Sequence, residues 1–177
     1  MSANFLKIIK KSISNYLSYC FNRMICLGVY PNVLKKAIVY PIFKKGDPNK
    51  MENYRPISTL SNINKIFEYI IDSQIRQYLT LNNILSDRQF GFVKNSSPIS
   101  AIFTLLNDIH LSFNSKSILV ALFLDFRKAF DLLNIDLLLV KLKKYGFDLL
   151  SLSLLESYLK GRRFQVFLIV LFLQNLS

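Results

Sequence analysis

Residues 118–131 read ILVALFLDFRKAFD, so seven apolar residues lead straight into Asp125, with Asp131 six positions further on. A carboxylate at the end of a buried strand is held at a pocket edge by a rigid backbone. Arg127 and Lys128 beside it suit phosphate oxygens. Three chemistries use such an arrangement. A P-loop nucleotide hydrolase also needs Gly-x-x-x-x-Gly-Lys-Ser/Thr, and the five glycines, at 28, 46, 91, 146 and 161, offer no such spacing. A phosphatase working through an aspartyl phosphate has a second Asp two residues on, where this chain has Arg127. The third is metal-assisted nucleotidyl transfer. There, one or two carboxylates plus substrate phosphates hold Mg2+, and paired ions about 3.5–4 Å apart activate a hydroxyl and stabilise the leaving group. From this stretch alone, a simple turn-capping role for Asp125 stays open.

The elements that must position these residues can be read from periodicity. Apolar residues at Phe5, Ile8, Ile9, Ile13, Leu17, Cys20, Phe21 and Met24 predict a helix over 4–27, with Gly28 as its stop. The runs AIVYPIF (37–43) and NYRPISTL (53–60) predict two strands around a polar, lysine-rich Gly-Asp-Pro-Asn turn, loosened by Pro41 and Pro56. Helical spacing returns over 62–80, and 86–97 is a loop. Ser97 is placed to cap the next helix, with Pro98 at its first position, and Ala101, Ile102, Leu105, Leu106, Ile109 and Leu111 on its apolar face. The run 117–124 predicts a strand covered on both faces. Two helices follow, over 136–145 and 148–160, stopped by Gly146 and Gly161, and a β-like run covers 164–173. The whole is a layered α+β arrangement.

Bulk properties narrow the partners. At 177 residues the chain is long enough for one domain. With 51% hydrophobic residues its core is large for that length, as in a piece of a larger fold whose former interior is exposed. Lysine and arginine number 23 against 11 acids, a net charge of +12 that favours nucleic acid before an acidic membrane. On charge alone, a basic protein without such a partner stays open. Cys20 and Cys26 share one helix and make neither a disulfide framework nor a metal pair, so no disulfide partner and a reducing compartment are expected. Lysines at 7, 10 and 11 interrupt any signal-peptide core, and the eight apolar residues over 166–173 fall short of the roughly 18 that span a bilayer. No membrane association is expected.

Larger words carry a resemblance. VYPIFKKGDPNKMENYRPISTLSNINKIFEYII, QFGF, LFLDFRKAFD, LLLVKLKKYGF and SYLKGRR resemble the reverse transcriptase of non-LTR (LINE-type, jockey-like) retrotransposons, in order and spacing from about residue 30 to 166. The resemblance implies the fingers and partial palm of a right-hand polymerase, cut before the second catalytic Asp motif. It implies an N-terminal helical segment over 1–36, fingers over 37–116 and partial palm over 117–177, with an atypical tail from about 167. It further implies RNA template, DNA primer and dNTP as partners, and Mg2+ as cofactor of the complete enzyme. Under it Asp125 is the first metal-binding aspartate, and Phe126 adds its backbone carbonyl. Phe130 gates the incoming sugar, Arg55 clamps the triphosphate with its planar donor fork, and Lys44 and Lys45 lie at the fingers tip. Gln89, Phe90 and Gly91 face the template, Gly91 allowing close backbone approach. Asp131 is given a structural role, and His110 a place on a helix surface.

The departures from the family's pattern set a second expectation. Val93 stands where the family has Arg, Pro98 where it has Thr, and Leu132 and Ile135 where it has Thr and His. The chain holds no Gly-x-Pro-Gln-Gly-Ser word and no Asp-Asp pair. One carboxylate leaves two dications largely uncompensated, so the isolated chain is expected not to polymerise or to bind Mg2+ well. Two other readings stay open: a non-catalytic basic module that binds nucleic acid, and a decayed copy that does not fold stably. An intracellular setting, nuclear or cytoplasmic, follows from the kind of element.

Overall fold

The computed structural model describes residues 3–126, 129 and 132–167. They form two compact units, the first from residues up to Asp72 and from Asn134 on, the second from Ser73 to Leu133.

The first unit opens with α1 (Ala3–Leu27). Gly28, at φ +62, ends it in the left-handed region that glycine reaches without strain. The Gly28 and Val29 amides donate to the Ile25 and Met24 carbonyls, both at 3.1 Å, closing the helix end with two hydrogen bonds. A short 3-10 turn (Asn32–Lys35) then feeds β1 (Lys36–Phe43). β2 (Tyr54–Thr59) returns antiparallel, and β3 (Arg163–Val166) lies parallel on the other side, giving the order β2-β1-β3. The two prolines fit this ladder. Pro41 faces Pro56, so their missing N–H groups fall at a cross-strand pair that need exchange no hydrogen bond. Pro41 also has no donor to offer beyond β3, where Phe167 N donates to Val39 O at 2.9 Å.

Three helices contribute to this unit's core: α1, the start of α2 (Asn62–Leu81) and α5 (Leu149–Leu159). Phe21, Met24, Tyr30, Phe67 and Leu154 are buried together, with ring centroids 5.3 Å apart for Phe21–Phe67 and 5.6 Å for Tyr30–Phe67. Ser157 Oγ accepts from Tyr30 N (2.9 Å) and Ser153 Oγ donates to Gly28 O (3.2 Å), sewing α5 to the turn after α1. The helix α4 (Ile135–Lys144) precedes α5 and ends at Gly146, φ +89. Asn134 and Asp148 cap α4 and α5, accepting from Leu137 N (3.0 Å) and Ser151 N (2.7 Å).

In the second unit α3 (Pro98–Asn114) starts as expected: Ser97 is extended and its Oγ accepts from Ser100 N at 3.2 Å. His110 is exposed on this helix. One expectation fails. The run 117–124 forms no strand, and its side chains are exposed, Ile118 by 93% and Phe123 by 81%. A strand apolar on both faces needs neighbours to pair its backbone and layers to cover it, and the described residues supply neither. The β-like run expected over 164–173 is a strand only as β3; 168–173 lie outside the described residues, as do Arg127, Lys128, Phe130 and Asp131. Cys20 and Cys26 are free and exposed. Among the described residues no helix is long and apolar enough to cross a membrane.

Candidate nucleotide and nucleic-acid site

The β1–β2 hairpin carries Lys44, Lys45 and Arg55. Register puts Arg55 opposite Ile42 and, by alternation, on one face with Lys36, Ile38, Tyr40 and Ile57. Lys36 lies opposite Arg163, and the rings of Tyr40 and Phe167 are 5.4 Å apart, so β3 extends the same face. Lys36, Arg55 and Arg163 are the only charged residues on the three strands; all are cations on one face. None of Lys44, Lys45 and Arg55 has an ion pair among the described residues, and all three are exposed.

The tip itself is braced. Asp47 Oδ1 accepts from Asn49 N (2.9 Å), Asp47 O accepts from Asn53 Nδ2 (2.8 Å), and Lys44 N donates to Asn53 O (2.8 Å). Tyr54 donates its hydroxyl to Pro48 O (2.9 Å) and packs its ring 5.5 Å from Phe43. Gly46, at φ +94, fits because a Cβ there would lie 2.8 Å from Asn53 Nδ2. The lysines therefore project from an ordered turn. Asp47 was legible as a turn former, since Asp bonds its own backbone two residues on. The part played by Asn53 was not, because it depends on register.

Gln89, Phe90 and Gly91 lie in the second unit, in the loop after α2. Gln89 is exposed and Phe90 half-buried. Gly91 is not in the left-handed region, and a Cβ there would meet nothing within 4 Å. Its backbone is open to an approaching ligand, and the fold does not require glycine. Arg88 grips Asp108 of α3 through both oxygens, at 2.6 and 3.4 Å, and Arg76 donates to Phe92 O. The hydrogen bond to Asp108 raises the Arg88 pKa. These clamps escaped sequence reasoning: their partners are 20 and 16 residues apart, with no local signature.

Asp125 and Phe126 also fall in the second unit and are exposed; Phe130 lies outside the described residues. Among the described residues no three of His, Cys, Asp and Glu gather as metal ligands. The described donors therefore do not fit a two-ion magnesium centre, for which a solvated carboxylate outside any such group is too little charge and too little geometry.

The family described as reverse transcriptase (RNA-dependent DNA polymerase) matches residues 42–171. The chain belongs to the reverse transcriptase family. It is 36% identical over 152 residues to the Drosophila melanogaster "Probable RNA-directed DNA polymerase from transposon BS", covering 85% of this chain and 17% of that protein. It is 33% identical to the "Probable RNA-directed DNA polymerase from transposon X-element" of the same fly, over 91% of this chain and 18% of the relative. To the "RNA-directed DNA polymerase from mobile element jockey" it is 27% identical, over 71% and 14%. This reverse transcriptase chain thus spans under a fifth of the length of these relatives.

Proposed function

We propose that this chain is an N-terminal piece, fingers and first part of the palm, of the RNA-directed DNA polymerase of a jockey-like non-LTR retrotransposon acting inside the cell. The fingers cover 37–116 and the partial palm begins at 117. In the complete enzyme the reaction joins a dNTP to a primer 3′-hydroxyl on an RNA template, and Mg2+ supplies charge for the leaving pyrophosphate. The observation that carries this reading is the hairpin. Arg55 on β2 and Lys44 and Lys45 at the braced turn have no ion pair among the described residues, and a polyphosphate is an anion that suits a planar donor fork and ammonium groups carried on one hairpin. Arg55 takes two phosphate oxygens at once, while the tip lysines add charge without fixing direction. Gln89 to Gly91 offer open backbone to the template strand. Asp125 is assigned to the first metal position, Phe126 adds its backbone carbonyl, and Phe130 gates the sugar.

For the isolated chain, the exposure of Asp125 and the lack of any group of three potential metal ligands among the described residues favour binding without catalysis. The direct test is equilibrium binding of a deoxynucleoside triphosphate to the wild-type chain and to Arg55→Ala. A charge-assisted contact contributes about 1.5–3 kcal/mol, so affinity should fall by roughly ten- to a hundredfold. Equal affinity would remove Arg55 from the triphosphate site.

A further inference from the structure

The sheet has a second cationic end. Lys36 and Arg163 are register partners where β1 and β3 begin, and like charges placed opposite one another destabilise a sheet. Lys35, next in sequence, is buried to 8% exposure, and its ammonium lies 3.8 Å from where a Cβ at Gly161 would sit. Lys36 and Arg163 are thus cross-strand partners, and the Lys35 ammonium lies beside Gly161, two residues before Arg163. No acid occurs in 33–43 or 157–167, and none of the three has an ion pair or hydrogen-bond acceptor for its side chain among the described residues.

Their neighbours in the same turn are different. Lys160 bonds Asp136 (2.6 Å) and Glu156 (2.8 Å). Arg162 stacks on Tyr158, 4.1 Å from the ring centroid, donates to Tyr158 O at 3.1 Å and lies 4.0 Å from Glu68. Tyr158 in turn donates to Glu68, and burial with that bond pushes its phenol well above the usual range, so it stays a donor. Among the described residues, carboxylates reach Lys160 and Arg162 and none pairs with Lys35, Lys36 or Arg163. Burying the stem of Lys35 fixes where its charge emerges, beside a turn that carries no side chain.

We propose that Lys35, Lys36 and Arg163 form a second phosphate station, occupied by the backbone of a bound nucleic-acid strand. Six residues of β1 separate Lys36 from the level of Arg55, about 20 Å at the rise of a strand. A polymer reaches both ends of that face; a single nucleotide does not. The inference rests on the reading of the chain as a nucleic-acid-binding fragment and names the surface the strand follows.

The test is binding of a single-stranded RNA oligonucleotide to the full chain across a salt series. Each phosphate contact on a single strand contributes about 0.7 to the slope of log affinity against log salt. Lys36→Ala/Arg163→Ala, both exposed positions, should lower that slope by about 1.4, and Lys35→Met, which keeps the buried stem, by about 0.7. Lys10→Ala/Lys11→Ala on α1 should change it less than the first pair does. Inorganic triphosphate should bind the Lys36/Arg163 double variant as it binds the wild type. An unchanged slope in both station variants, an equal fall in the α1 control, or an equal loss of triphosphate binding would each overturn the station while leaving the hairpin assignment intact. A wild-type chain with no salt-dependent binding would overturn the fragment reading itself, and the station with it.

Discussion

Two glycines at the residue scale separate a structural requirement from a functional one. At Gly46 the backbone is left-handed and a Cβ would collide with the Asn53 amide that braces the tip. Gly46→Ala should therefore destabilise the first unit by about 1 kcal/mol or more, read as a lower urea midpoint at unchanged slope. Gly91 has neither constraint. Gly91→Ala should leave stability within about 0.5 kcal/mol of wild type, and RNA affinity should fall if the template passes against that backbone. Equal stability losses in the two variants would refute the distinction. Tyr30 offers a third case. Its buried hydroxyl has no hydrogen-bond partner among the described residues, so Tyr30→Phe should be neutral or stabilising in the same measurement.

Among the elements, the parts legible in the sequence were those decided locally. Ser97 before Pro98, Gly28 after Met24, and Gly146 after Lys144 announce helix ends because a cap needs only its own few residues. Ser97→Ala should lower the stability of the second unit by about 1 kcal/mol. Asp148 adds a pH dependence. Bonds from Ser151 hold its carboxyl below the ordinary value of 3.8, so its contribution is present above that value and lost as pH falls through the lower folded-state value. The stability advantage of wild type over Asp148→Asn, followed by circular dichroism in an acid titration, should shrink below pH 3.8; a constant difference would contradict the assignment. The run 117–124 was misread for the converse reason. Its composition specifies what it needs, two neighbouring strands and two covering layers, and not whether they are there. The bracing of the tip by Asn53 and the Arg88–Asp108 clamp were out of reach too, since each joins residues only the fold brings together.

On the scale of the whole molecule, the family, the hairpin and its cations could be read from the sequence, and the division of labour between them could not. The first unit closes a core around Phe67 and displays every sheet charge on one face. The second presents Asp125 to solvent. With no group of three potential metal ligands among the described residues, the proposed fragment should hold nucleic acid and triphosphate without joining them. The most direct test mixes the pure 177-residue chain with an RNA template, annealed DNA primer, dNTPs and Mg2+. Complex formation and primer extension are then followed in the same samples, for wild type and Asp125→Ala. A salt-sensitive complex is expected with both proteins, and no added nucleotide with either. Extension by the wild type that Asp125→Ala abolishes, or no complex at low salt, would contradict that expectation.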